Sequence, residues 1–231
     1  MRTSLFLLLL VAITAQAQDK KSISHTIYAT GNLGYGKDNG EVISMLGKLS
    51  QSSKNTTVLF LGNNVQPSGF DKNNNESLER LDHQLSFLKN FNGNIFFIPE
   101  STEWKKGVNG IKQEQDFISK NLGNNKVFLP KDGCPVKKIT IDNTIDLLMI
   151  DSEWALMNWD QFPNINDECD IKNKTAFYNE VESEIVKSQN KTVLIALCHP
   201  PASYGKYNNF FSFGINPQQI NNNIIKNLVI N

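Results

Sequence analysis

Short apolar runs alternate with longer amphipathic segments along this chain, and this alternation limits the possible folds more than any other feature of the sequence. Six apolar runs predict strands, at residues 26–29, 57–61, 94–98, 137–141, 145–150 and 192–198. Apolar residues at helical spacing predict helices at residues 42–49, 78–88, 113–122 and 175–187, and after Pro217. This alternation is typical of an α/β layer fold with a largely parallel sheet.

The first 17 residues have the pattern of a cleaved export signal. Arg2 precedes an apolar run at residues 5–13, and Ala15 and Ala17 supply the small residues that a signal peptidase needs. A membrane anchor is the alternative, but the run is much shorter than the roughly 20 residues that span a bilayer, and no later stretch is long and apolar enough. We expect residues 18–231 to form one exported domain, periplasmic or secreted.

Three cysteines in an exported chain predict one disulfide and one free thiol. Cys134 lies in a turn and Cys169 in a polar loop, whereas Cys198 ends an apolar strand. Cys134 and Cys169 are therefore the favoured pair. Three free thiols are the alternative, because the sequence does not establish the distance between two cysteines.

Charge and motif patterns disfavour several classes of function. The formal net charge is zero and the sequence pI is about 6.8, which gives no electrostatic basis for binding nucleic acid. The glycine-rich residues 31–36 lack the register of a dinucleotide-binding loop. Ser203 lacks the nucleophile-elbow pattern of a serine hydrolase.

Four polar segments follow predicted strands, at residues 28–32, 61–64, 98–104 and 196–200. Ligands of α/β folds gather beyond the carboxyl ends of the parallel strands. We expect these four segments to converge on one rim, which is the predicted place for any chemistry.

The same segments resemble the loops of the calcineurin-like metallophosphoesterases, in particular the exported branch similar to purple acid phosphatases. Leu61-Gly62-Asn63-Asn64 resembles that family's Gly-Asp-Asn loop, Ile98-Pro99 leads into its Gly-Asn-His-Asp loop, and Leu197-Cys198-His199-Pro200 into its His-His-Pro loop. The resemblance implies an α/β/β/α sandwich with mixed, largely parallel sheets. It also implies two divalent metals such as Fe, Zn or Mn, which activate water against a phosphate ester.

The first two loops depart from the family's ligand pattern. Ala29 stands where the resemblance implies an aspartate, and Asn63 where it implies a bridging aspartate. Gln66 stands at the position of a ligand tyrosine, whereas the amide ligand Asn64 is retained. Neither Ala29 nor Asn63 supplies the negative charge of a bridging carboxylate.

The remaining loops depart in the same way. Ser101 and Thr102 replace an amide ligand and a histidine, and Glu103 keeps a carboxylate that would orient that histidine. Cys198 replaces the first histidine of the fourth loop, and His199 is the second. Tyr207 lies where a histidine would approach the leaving group, and the closing Gly-His-x-His loop has no counterpart, so the C-terminal part of the fold is expected to be missing.

Structural roles are our first interpretation of the surviving polar residues. We expect Asn64 to cap or turn the chain after a strand, and His199 to be a turn residue hydrogen-bonded to backbone. Cys198 is interpreted as a buried small hydrophobe, with a soft metal ligand or reactive thiol as the alternative. Glu103 is interpreted as a surface carboxylate. Packing roles are expected for Asp151 and Trp154.

These considerations predict an exported, degenerate metallophosphoesterase-like domain without phosphatase activity and without a cofactor. Its expected role is to bind an unknown protein or small molecule at the rim. One alternative is a divergent phosphohydrolase with a single metal, held by a set drawn from Asn63, Asn64, Glu103, Cys198 and His199. Another is a truncated product without a selected function.

Overall fold

A computed structural model describes residues 23–35, 40–50, 54–158 and 161–199. The expected export signal, Ser203, Tyr207 and the expected helix after Pro217 lie outside the described residues.

Six strands in the described part of the chain form two three-stranded sheets. In the first sheet β2 is central and parallel to both neighbours, the strands being β1 (Thr26–Thr30), β2 (Thr56–Phe60) and β3 (Asn94–Phe97). In the second sheet β5 is central, antiparallel to β4 and parallel to β6, the strands being β4 (Val136–Thr140), β5 (Ile145–Ile150) and β6 (Thr192–Leu197). The predicted α/β class with mostly parallel pairing is confirmed.

Helices connect the strands, and four of them were predicted. They are α1 (Gly40–Ser50), α2 (Asn75–Ser86), α3 (Gly107–Leu122) and α5 (Lys174–Val186), while α4 (Ser152–Leu156) was not predicted. Asn74 and Asn173 cap α2 and α5, because each side chain accepts a hydrogen bond from a backbone N–H in the first turn. Two 3₁₀ turns, Leu33–Tyr35 and Glu103–Lys106, and α4 are too short to show a helical period in the sequence.

Alternate residues of the strands contribute to two apolar clusters. One cluster includes one face of each sheet, with Leu59 of β2, Phe96 of β3, and Leu147 and Met149 of β5. The opposite faces belong to a second cluster that includes residues of α2, α3 and α5. The sheets thus share an apolar layer, and helices pack on their other faces.

The predicted disulfide between Cys134 and Cys169 is confirmed, with the two Cα atoms 5.3 Å apart and a sequence separation of 35. It ties the segment before β4 to the segment before α5. Cys198 is a free cysteine. Among the described helices, none is long and apolar enough to cross a membrane.

Candidate functional site

The loops at the carboxyl ends of the strands converge, as expected. The loop after β1 meets the loop after β2, because the Asn32 N–H donates to the Gly62 carbonyl oxygen at 3.0 Å. The loop after β3 meets the same loop through the Thr102 hydroxyl, which donates to Asn63 Oδ1 at 2.7 Å. The loop after β6 completes the rim from the second sheet, because His199 Nε2 lies 3.7 Å from Glu100 Oε1.

Gly62 is what allows the loops after β2 and β3 to approach so closely. Its φ angle is +87°, a conformation that favours glycine. A Cβ atom added there would lie 2.3 Å from the Cβ atom of Glu100, which is a severe clash. The glycine of the family-like loop therefore has a steric role in this chain that does not depend on metal binding.

Glu103 is buried at the base of the rim, so the interpretation as a surface carboxylate is wrong. Its side chain accepts hydrogen bonds from the backbone N–H groups of Asn63, Asn64 and Glu100 at 3.1, 2.8 and 2.9 Å. The residue is 1% exposed. Its carboxylate holds two loops together by accepting hydrogen bonds from their backbone N–H groups. Glu103 and Asn63 are about 40 positions apart in the sequence, so no local pattern reveals this contact.

The burial of Glu103 and Glu114 changes the protonation of both. Burial raises the pKa of Glu103 to about 7, against the opposing effect of the backbone N–H donors. Burial and then the charge of Glu103 raise the pKa of Glu114 well above its ordinary value. Both effects favour the neutral form of Glu114.

Asn64 faces the protein interior. Its side-chain amide donates to Glu114 Oε1 at 3.2 Å, and its backbone carbonyl oxygen accepts from Gln84 Nε2 at 2.7 Å. The residue is 1% exposed. The Asn64 side-chain amide is thus directed toward α3, and its backbone carbonyl oxygen is held by α2.

The residues at the family-like ligand positions do not fit a bridged pair of metal ions. Ala29 is exposed and has no side-chain donor atom. Asn63 Oδ1 accepts the Thr102 hydroxyl, and the Ser101 hydroxyl donates to Glu100 Oε2 at 3.0 Å. The protein itself thus occupies most of the polar atoms that the resemblance assigns to metals and substrate.

A second group of side chains lies where the rim is formed by β3, β5 and β6. His199 Nδ1 is 2.9 Å from Ser152 Oγ and 3.3 Å from Cys198 Sγ, and Nε2 is 3.5 Å from Glu153 Oε2. With Glu100 beside Nε2, both nitrogens of the ring face side chains. The sequence interpretation of His199, a turn residue bonded to backbone, did not anticipate these partners.

The interpretation of Cys198 as a buried small hydrophobe did not anticipate the polar contacts of its thiol. The residue is only partly buried, and its sulfur lies 3.1 Å from the Ser152 hydroxyl oxygen as well as next to the His199 ring. One donor atom of each of Glu100, Cys198 and His199 lies within 4.8 Å of the other two. The set of donors is therefore different from the expected one, because Glu100 joins it and Asn64 does not.

Burial in this cluster disfavours charge on every member. Burial, and then the charges of Glu100 and Glu103, raises the pKa of Glu153 to about 7. Burial also raises the pKa of Glu100 and of the Cys198 thiol, and it lowers the pKa of His199. At neutral pH the imidazole is therefore neutral and the thiol is protonated.

Asp151 and Trp154 support this part of the rim from below. Asp151 caps α4 by accepting from the Trp154 backbone N–H at 3.2 Å, and its other oxygen accepts from Trp104 Nε1 at 2.7 Å. Asp151 and Trp154 have no exposed surface, which confirms their predicted packing roles. The sequence interpretation missed Glu100, Ser152 and Glu153, and the only local signal for them was their position just after a strand.

No family model and no curated protein matches this chain.

Proposed function

We propose that this protein is an exported domain related to the calcineurin-like metallophosphoesterases that has lost the two-metal phosphatase reaction and acts by binding a ligand at its rim. The observation that carries the proposal is the state of Asn63, which stands where the resemblance implies the bridging carboxylate. Its side chain is a neutral amide, and its oxygen accepts a hydrogen bond from the Thr102 hydroxyl at 2.7 Å.

The energetics of two-metal sites support the loss of the reaction. Two divalent ions about 3.5–4 Å apart repel each other and need a bridging anion as well as flanking anionic donors. At the corresponding positions Ala29 offers no donor and Asn63 a neutral amide whose oxygen already accepts from Thr102. These groups do not offset the cost of dehydrating two ions.

The partly buried side chains of the rim support a binding role. Glu100, Glu153 and His199 come from two different sheets and meet at one edge of the molecule. Polar groups that converge in this way fix the orientation of small ligands. A small molecule or a segment of another protein is the expected ligand, and the neutral net charge disfavours nucleic acid.

A divergent phosphohydrolase with a single metal is the second candidate function. The closeness of Cys198 and His199 to Glu100 favours it. Glu103 and Asn64 would have no part in such a site, because their contacts hold them inside the protein.

A phosphatase assay tests the proposal. The full chain, exported and purified from a host that processes export signals, is dialysed against a chelator and assayed with p-nitrophenyl phosphate after addition of Zn²⁺, Mn²⁺ or Fe²⁺. We expect no turnover above that of metal and buffer alone. Turnover that needs metal, is abolished by Asn63→Ala and is unaffected by the exposed control Asn92→Ala would overturn it.

A further inference from the structure

The donor atoms around His199 are of the types found in single metal centres, and one atom from each of Glu100, Cys198 and His199 lies within 4.8 Å of the other two. Two atoms bound to one tetrahedral zinc ion, at about 2.0–2.3 Å from the metal, lie roughly 3.4–3.6 Å apart. His199 Nε2 is 3.7 Å from Glu100 Oε1 and 3.5 Å from Glu153 Oε2. A sulfur, an imidazole nitrogen and a carboxylate oxygen are all ligands that zinc accepts.

Ser152 orients the two neighbouring donors in the way that metal sites require. Its hydroxyl oxygen is 2.9 Å from His199 Nδ1 and 3.1 Å from Cys198 Sγ. If Nδ1–H donates to this oxygen, the lone pair of the imidazole lies on Nε2, which faces the two carboxylates. Histidines that bind metals generally donate their other N–H to such a partner.

Acidic side chains crowd around the cluster in the described part of the chain, without basic partners. Glu100, Glu103, Asp151 and Glu153 are near one another, and in the part of the chain that the structure describes no lysine or arginine forms an ion pair with any of them. The only ion-pair partner found there for Glu100 and Glu153 is His199. Each ionised carboxylate in a partly buried site disfavours the ionisation of its neighbours, and a bound cation would favour the ionised forms.

We propose that the rim binds one divalent transition-metal ion of the zinc class, with Glu100, Cys198 and His199 Nε2 as its protein ligands and Glu153 as an additional negative charge beside it. This inference deepens the proposed binding function by naming its ligand, and it rests on that function. It is not the two-metal site of the family, because Glu100 and Glu153 stand outside the family-like ligand positions and Asn64 and Glu103 take no part.

Metal binding by a thiol releases a proton. A cysteine with an ordinary pKa of about 8.5 is mostly protonated at neutral pH, and zinc binds the thiolate, so the S–H bond breaks, an S–Zn bond forms and the proton leaves to the buffer. Ser152 is then a positioning residue, since its hydroxyl can donate to the thiolate while it accepts from His199 Nδ1–H.

Titration of the metal-free full chain with ZnCl₂ in a calorimeter, in two buffers of different ionisation enthalpy, tests the inference. We expect saturation at one ion per chain with release of a proton. CoCl₂ in place of ZnCl₂ should give a thiolate-to-cobalt charge-transfer band in the near ultraviolet. The disulfide occupies the other two cysteines, so this band reports Cys198 alone.

Variants identify the ligands. Glu100→Gln and Cys198→Ser should each weaken zinc binding by more than about 100-fold, beyond the about 10–100-fold expected for Ser152→Ala, which removes only an orienting partner. His83→Ala, an exposed histidine on α2, should leave the affinity unchanged. Circular dichroism of each variant shows whether it folds. The cobalt band is measured on the unmodified chain, so that test does not depend on the folding of any variant.

The results separate this inference from the proposed function. No saturable zinc binding, or cobalt binding without the thiolate band, overturns the single-metal site and leaves the loss of phosphatase activity standing. Two ions per chain together with hydrolysis of p-nitrophenyl phosphate overturn the proposed function instead.

Discussion

At the scale of single residues, Glu103 shows how one buried side chain can hold several loops together. The three backbone N–H groups that it accepts from belong to loops after two different strands. In a buried setting such charge-assisted hydrogen bonds are worth about 1.5–3 kcal/mol each when an acceptor is lost. These hydrogen bonds hold the loops after β2 and β3 together at the base of the rim.

Replacing Glu103 by glutamine should destabilise the protein. The amide keeps one acceptor oxygen, but its NH₂ group faces backbone donors, so we expect a loss of roughly 2–4 kcal/mol in the free energy of unfolding. Urea unfolding followed by circular dichroism measures it. The exposed control Glu182→Gln on α5 should change stability by less than about 0.5 kcal/mol, and equal effects of the two substitutions would contradict the role given to Glu103.

Asp146 provides a pH-dependent contribution to stability. Burial alone would raise its pKa, but hydrogen bonds from Lys191, Ser188 and Thr140 outweigh that effect and lower the pKa to about 2. Since the pKa in the unfolded chain is about 3.9, this stabilisation is present above pH ~4 and is lost as the pH falls toward 2.

Unfolding of the unmodified chain and of Asp146→Asn should therefore differ most near neutral pH and converge in acid. Urea unfolding from pH 7 to pH 2 measures this difference. Asp116→Asn, an exposed site on α3, is the matched control and should not reproduce the convergence. A difference between the unmodified chain and Asp146→Asn that stays constant down to pH 2 would count against the account.

At the scale of elements, the layer between the sheets should be sensitive to lost volume. Met149 of β5 has no exposed surface and belongs to the cluster shared by both sheets, whereas Met45 of α1 is 54% exposed. We expect Met149→Ala to cost about 2–5 kcal/mol of stability. Met45→Ala should change it by less than about 0.5 kcal/mol. Thermal and urea unfolding of both variants measure these changes. A similarly small effect of both substitutions would contradict a packed apolar layer around Met149.

The disulfide links two elements of different kinds. Cys134 precedes β4 and Cys169 lies before α5, so the bond restricts a loop of 35 residue positions in the unfolded chain. The loop-entropy model gives a stabilisation of about 3–4 kcal/mol for that length. The double substitution Cys134→Ser, Cys169→Ser should lower stability by that amount, and reductant should then have no further effect.

Reduction of the unmodified chain measures the same contribution. Cys198→Ser serves as the control, because this variant should remain as sensitive to reductant as the unmodified chain. Stability that does not respond to reductant in either protein would show that the Cys134–Cys169 bond is not formed.

Much of the element scale could be predicted from the sequence. The six predicted strands agree with the structure to within one residue at each end, because runs of aliphatic residues between polar turns give a strong local signal. Four helices followed from the spacing of their apolar residues. The short α4 could not be predicted, since five residues, Ser152–Leu156, contain hardly more than one turn.

The candidate site was less predictable. The sequence predicted that the strand ends converge and that Cys198 and His199 lie there, but it did not show which acidic residues join them. Glu100 and Glu153 meet His199 because the two sheets share an apolar layer. These residues are far from His199 in the sequence, so no local pattern reveals the contacts. The burial of Glu103 likewise depends on contacts with residues about 40 positions away in the sequence.

At the scale of the whole molecule, we expect the rim formed by both sheets not to hold a pair of metal ions. A crystal soaked in Mn²⁺ or Zn²⁺ and measured by anomalous diffraction counts the ions directly. We predict at most one ion at the rim, beside Glu100, Cys198 and His199. Two ions about 3.5–4 Å apart near Asn63 would contradict the account.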